Sequence, residues 1–190
     1  MQTNNTGWDD CGNAQASVDG AYQIILACEV TADANDKQQA VPMAQLTVAS
    51  LEQAGIERPK DATGGVEKIS GTYDSGYYSE AAAEAVEQLG FDPYMATGRQ
   101  RHHASEDEMS EAPASAKERM AEKVRSPEGR ALYARRKVIV EPVFGQIKEV
   151  RGCRQFLLRG LDNIRGEWCL VCLTHNLLKL WRYRCLPITV

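Results

Sequence analysis

Two carboxylates in this 190-residue chain stand where a side chain can do chemistry, Asp74 and Glu141. Asp74 closes the extended run KISGTYD and is followed at once by Ser75-Gly76 and the aromatic pair Tyr77-Tyr78. In α/β proteins, functional groups gather at the carboxyl ends of strands, where a short turn exposes them. A carboxylate there can bind a hard cation such as Mg²⁺ through oxygen. The same position also suits an aspartate that shapes a turn or caps a helix, so both roles stand open. Glu141 lies in YARRKVIVEPVFGQIK, where Tyr133, Lys137, Glu141 and Lys148 recur at spacings of four, four and seven. An unbroken helix places these four on one stripe and turns Val140, Phe144 and Ile147 toward the core. A glutamate on the edge of an apolar face also suits a surface ion pair. Pro142 either kinks that helix or starts a new one as its first residue, which puts Glu141 at a break in both cases.

Other groups carry weaker signals. Cys169, Cys172 and His175 fall at helical spacing inside GEWCLVCLTHNLLKLW, between Trp168 and Leu173. A CxxC needs a second ligand pair and usually a turn before it reads as a zinc site, so core packing is the expectation. His102-His103, beside Arg99 and Arg101, sit in a polar stretch and suit phosphate contact or solvation. Ser79 and the glutamates after it open a helix and do not make a nucleophile.

The elements that must position these residues follow from local pattern. Residues 13–18 and 22–31 read as two strands joined at Asp19-Gly20, a hairpin. Asp36 is placed to cap a helix over 37–55, with Val41, Ala44, Val48 and Leu51 on its apolar face and Gly55 ending it. A strand at 68–74, a helix at 80–89 closed by Gly90 and a short strand at 91–97 come next. Residues 98–116 are polar and read as a loop or insertion. Helices follow at 117–139, 142–151 and 162–184. The order is β-β-α-β-α-β followed by helices, which is the pattern of an α/β domain with a mixed sheet flanked by helices.

Composition bounds the class. Hydrophobic content of 43% and charged content of 25% are ordinary for a globular domain. No apolar run reaches the roughly 18 residues of a membrane span. The opening MQTNNTGWDDCGN lacks the basic and apolar regions of a secretory signal, so a cytoplasmic location and six reduced thiols are expected. The net charge of −4 hides an asymmetry. Residues 1–98 hold four basic against fifteen acidic residues, and residues 99–190 hold eighteen basic against eleven acidic. A basic second half fits a polyanionic partner.

Several short motifs in order resemble one family. YDSGYYSE at 73–80 is similar to the segment around the second catalytic aspartate of insertion-sequence DDE transposases. Tyr133, Arg136, Glu141 and Lys148 resemble that family's Tyr-Arg-Glu-Lys signature, with Arg136 or Lys137 in the arginine position. GNAQASVD, VTADANDKQQAVPM, DPYMATGRQRHH, EGRALYARRK and FLLRGLDNIRGEWCLVCLTHNLLKL extend the likeness over about residues 12–181. This resemblance implies the C-terminal portion of a DDE catalytic domain at 12–181, with tails at 1–11 and 182–190. It implies a ribonuclease-H-like fold whose first strand is missing, with Asp74 and Glu141 as catalytic, metal-binding carboxylates. It also implies two Mg²⁺ or Mn²⁺ ions, phosphate contacts by Arg136, Lys137 and Lys148, and Tyr133 as a signature residue. The partners implied are DNA (transposon ends and target) and a second copy or a full-length transposase.

The activity so implied is strand cleavage and strand transfer by metal-dependent phosphoryl transfer. A third carboxylate is wanted, and the family places it on a strand upstream of the hairpin. Asp9 and Asp10 have no apolar run beneath them, and Asp19 falls in the hairpin turn. The expectation is therefore a truncated, inactive copy. Its alternative is a non-catalytic remnant that binds DNA or oligomerises.

Overall fold

The computed structural model describes residues 12–58, 60, 64–98 and 115–185. Asp9, Asp10, His102 and His103 lie outside them, as does most of the polar stretch at 98–116. Strands β1 (Asn13–Val18) and β2 (Ile25–Thr31) pair antiparallel, with Asn13 opposite Thr31 and a register shift at Ser17/Val18. Helix α1 (Ala40–Gln53) follows, then β3 (Ile69–Tyr73), a single 3₁₀ turn at Ser75–Tyr77, α2 (Glu80–Gln88) and β4 (Phe91–Met95). Strands β3 and β4 run parallel, joined by α2 as their crossover. The chain ends in α3 (Ala116–Arg125), α4 (Pro127–Gly145), a π turn at Gln146–Val150 and α5 (Leu161–Cys185).

The single mixed sheet expected from the order of elements is instead two sheets of two strands, β1-β2 and β3-β4. Among the described residues no strand joins the two sheets, so each of the four strands keeps one unpaired edge. Each sheet has its own core. One gathers Ile25 and Val30 of β2, Val143 of α4, Ile147, and Ile164, Trp168 and Cys172 of α5. The other gathers Ala40 and Ala44 of α1, Ala82 and Val86 of α2, and Phe91 and Met95 of β4.

Local chemistry sets most boundaries where the sequence puts them. The Ser79 hydroxyl accepts the Ala82 N–H at 3.1 Å and starts α2, and Gly90 at φ 85° ends it. Gly55 at φ 65° ends α1. Four expectations are corrected. Asp36 does not cap α1: Gln39 stands at the cap position without a side-chain bond, and the Asp36 carboxylate is taken by Asn13 and Gln15. The buried face of α1 is Ala40, Met43, Ala44 and Thr47, rotated from the expected one. The hairpin turn is wider than a two-residue Asp-Gly turn. Asp19 Oδ2 accepts the N–H groups of Ala21 and Tyr22, and Gln23 takes a left-handed conformation before β2 begins.

The fourth correction concerns the long helix expected at 117–139, which is two helices. Ser126 leaves helical geometry, accepts the Gly129 N–H at 3.0 Å and donates to the Lys123 carbonyl at 2.8 Å, with Pro127 pre-set for the first turn of α4. Pro142, in contrast, starts no helix and lies inside α4. It has no N–H to offer the carbonyl of Val138 one turn back. That carbonyl accepts from Gln23 Nε2 at 2.8 Å, so the proline's orphan is satisfied by the hairpin. The chain then passes into the π turn, and Ile147 is buried at its centre.

Helix α5 packs against β2 and carries the would-be zinc residues. Cys172 and His175 are buried in its core-facing side and Cys169 is exposed. Cys169 Sγ lies 3.7 Å from Cys28 Sγ on β2. His175 is fully buried, with Nε2 2.9 Å from the Gln23 carbonyl. A carbonyl only accepts, so Nε2 carries the proton and Nδ1, which has no partner among the described residues, is the unprotonated nitrogen. Burial, with Lys179 and Arg151 nearby, holds the imidazole below its ordinary range.

Two outcomes follow from this packing. A Cβ at Gly129 would stand 2.0 Å from the Lys123 carbonyl oxygen, a backbone atom that cannot step aside. Gly129→Ala should therefore cost about 1–3 kcal/mol in a urea titration. For His175, the unfolded imidazole takes a proton below about pH 6.5 while the folded one resists it. Stability is thus fully present above that pH and is lost as pH falls toward the folded value. Melting temperature should drop between pH 7 and pH 5, and His175→Gln should flatten that drop.

Candidate functional site

The two cores meet at a polar cluster built on Gln15. This side chain is only 3% exposed, unusual for a glutamine, and every polar atom on it is used. Its Nε2 donates to Asn13 Oδ1 at 2.9 Å and to Asp36 Oδ1 at 2.8 Å. Its Oε1 accepts from the Tyr77 hydroxyl in a very short hydrogen bond. Its backbone carbonyl accepts from Trp168 Nε1 at 2.9 Å. One residue of β1 thus ties together the loop after β2, the turn after β3 and the core of α5.

Asp74 stands beside this cluster, directly after β3, with its side chain 53% exposed. Its Oδ1 accepts the Ser75 N–H at 2.7 Å and opens the 3₁₀ turn; its Oδ2 lies 3.4 Å from Arg136 Nη1 on α4. Gly76 in that turn lies against Asp36, where a Cβ would be 3.3 Å from Oδ2. Asp36 and Asp74 therefore flank one short turn. Burial, with those two carboxylates close by, pushes the Tyr77 hydroxyl far above its ordinary range, and burial alone pushes Tyr73 up to about 12. Both phenols stay protonated, and Tyr77 acts as a donor to Gln15 and not as a base.

The signature positions on α4 divide. Arg136 points inward, 5.6 Å from the ring of Tyr133, with its Nε buried and unpartnered among the described residues. Lys137 and Glu141 are exposed on the same helix. Glu141 makes no hydrogen bond or ion pair among the described residues. Lys148 is exposed in the π turn with its ammonium 5.5 Å from the Phe144 ring. The structure brings Asp74, Arg136 and Tyr133 together and leaves Lys137, Glu141 and Lys148 on the solvent side. Asp19 has its carboxylate committed to the hairpin turn. Asp36 and Gln15 are members of the site that spacing alone did not single out; the only signal was a glutamine in an otherwise small and apolar strand.

A pair of divalent cations needs carboxylates with free oxygens converging on one point. Both oxygens of Asp74 already face donors, one of them a guanidinium, and Asp36 Oδ1 takes two amide groups. Among the described residues no three His, Cys, Asp or Glu side chains are arranged to hold a metal ion. This donor set, as it stands, does not fit a two-metal centre.

The cluster separates structural from solvent-facing carboxamides and carboxylates by stability. Gln15→Ala removes a buried partner from Asp36 and Tyr77 and should cost roughly 1–3 kcal/mol. Glu141→Ala, at an exposed and unpartnered position, should stay within about 0.5 kcal/mol. Equal losses for the two in a denaturant titration would show that the cluster does not hold the cores together.

Comparison with known proteins adds one family. Residues 93–181 match the family model described as a transposase DDE domain. That segment runs from β4 through α5 and contains Tyr133, Arg136, Lys137, Glu141 and Lys148, while Asp74 lies upstream of it. No curated protein and no solved structure matches the chain. No described helix is long and apolar enough to cross a membrane. The matched segment and the ordered motifs agree in pointing to an insertion-sequence transposase DDE domain over residues 93–181.

Proposed function

We propose that this chain serves DNA transposition by holding DNA against α4 and the ends of β3 and α5, and that its described carboxylates do not by themselves perform strand cleavage. The carrying observation is the Arg136–Asp74 contact. It places a guanidinium on the carboxylate that a metal would need, and it fixes α4 against the end of β3. The outer side of α4 then presents Arg130, Arg135 and Lys137 to solvent, with Lys148 one element further on. A cleft of about 580 Å³ between the hairpin turn and the two long helices adds Lys179 and Arg182, lined by Tyr22 and Tyr183. Cations spread over neighbouring elements, with phenol rings among them, suit the phosphates and bases of a nucleic acid. Contacts of this kind position DNA and carry little sequence information.

A ribonuclease-H-like arrangement of the domain over 12–181 is part of the same reading. It is supported by the parallel β3-β4 pair, the antiparallel hairpin and the helical second half. A second reading, catalysis with two Mg²⁺ or Mn²⁺ ions through Asp74 and Glu141, is favoured by the exposed position of Asp74 at a strand's carboxyl end. It requires that Arg136 release Asp74 and that a further carboxylate join them.

Binding to duplex DNA, read by fluorescence anisotropy between 50 and 200 mM salt, separates the two. The proposal expects salt-sensitive affinity that survives Asp74→Ala and Glu141→Ala. Lys137→Ala and Lys148→Ala should each lower the slope of log affinity against log salt by about 0.9. Mg²⁺- or Mn²⁺-dependent cleavage of DNA that disappears in Glu141→Ala would overturn it in favour of catalysis.

A further inference from the structure

Helix α5 has two apolar sides, and among the described residues only one of them is covered. Ile164, Trp168, Cys172 and His175 face the core and are buried. On the opposite side Leu170, Leu173, Leu177 and Leu180 are 60%, 53%, 55% and 53% exposed, joined by Trp181 at 63%. Their spacing of three, four and three residues is that of the a and d positions of a heptad, so all four leucines form one straight seam. Single exposed leucines are common, but an aligned row of four on one 25-residue helix is an association surface.

We propose that this seam pairs with the same seam of a second copy of the chain, the two α5 helices running antiparallel. In an antiparallel pair, Leu170 sits opposite Leu180 of the partner and Leu173 opposite Leu177, so each leucine fills a layer with its complement. Charge selects this direction. The last turn of α5 carries Arg182 and Arg184, and the first two turns carry Asp162 and Glu167. Asp162 has its side chain 98% exposed, 3.5 Å from Arg165 of its own helix, and Arg165 is already engaged with Glu29 at 2.7 Å. Glu167 receives the Leu157 and Leu158 N–H groups. Antiparallel pairing brings Arg184 opposite Gly166, within a turn of both acids, and aligns the helix dipoles head to tail. Parallel pairing sets Arg184, which continues the leucine seam one turn on, against its own copy. Each layer is thus leucine against leucine, and each end is basic against acidic.

Mass is the test, measured on the full chain by light scattering across a concentration series from about 1 to 100 µM. A dimer is expected, and Leu173→Glu with Leu177→Glu should give a monomer with unchanged circular dichroism, since both side chains face solvent in the single chain, and with a melting temperature that no longer depends on concentration. A spin label at Gly166→Cys, where an added Cβ meets nothing within 4 Å, in a background with Cys169→Ser and Cys185→Ser, reports direction and leaves Arg184 in place. Antiparallel helices separate the two labels by about 27 Å along the axis, and parallel helices bring them to about 10 Å. A wild-type monomer throughout that range, a dimer that survives the double substitution, or a short label distance would each overturn the proposal. None of these readouts involves DNA, so the DNA-binding reading stands or falls separately.

Discussion

Gln15 is a polar side chain in a place where burial penalises polarity, and the fold depends on how that penalty is met. An unsatisfied buried amide costs on the order of 1–3 kcal/mol. Here the amide nitrogen has two oxygen acceptors and the amide oxygen has the Tyr77 hydroxyl, while Trp168 closes the backbone carbonyl. Those partners come from β1, the loop after β2, the turn after β3 and α5. Satisfying one amide therefore fixes the relative position of two small sheets that share no strand among the described residues.

That constraint reaches the site through the turn after β3. Tyr77 is held by Gln15, so the turn that begins at Asp74 has a fixed direction, and Asp74 meets α4 at Arg136. Arg136 in turn rests on Tyr133. Arg136 and Tyr133 thus do structural work in this chain: they dock α4 onto the end of β3 and leave Lys137 and Lys148 facing outward. Pro142 contributes from the other direction. By freeing the Val138 carbonyl it gives the hairpin residue Gln23 a partner, and Gln23 also receives Lys179 and His175 from α5. The hairpin, α4 and α5 are locked by hydrogen bonds to one left-handed loop residue.

Much of this was legible in the residues. Ser79, Gly90 and Gly55 marked their helix ends because capping and left-handed termination are local events. Asp74 at a strand end and the Tyr-Arg-Glu-Lys spacing on one helix pointed to the family that residues 93–181 match. The break at Ser126 carries only a local signal, Ser-Pro followed by glutamate, within a stretch that otherwise reads as one continuous helix. The choice between Arg136 and Lys137 could not be made from spacing, since each restores one gap and breaks the other; only the direction of α4 against β3 puts Arg136 on Asp74.

Local pattern in the residues carries the order of the strands, most helix ends and the likeness to transposase DDE domains, because those rest on neighbours within about four residues and on motif order. Tertiary structure decided that Asp36 serves Gln15 and Asn13 instead of a helix cap, that Asp74 is paired with a guanidinium, and that Glu141 stands apart. The physical reason is distance along the chain. Trp168 meets Gln15 across 153 residues and Arg136 meets Asp74 across 62, and no periodicity in a single sequence encodes which distant partners a buried polar group will find.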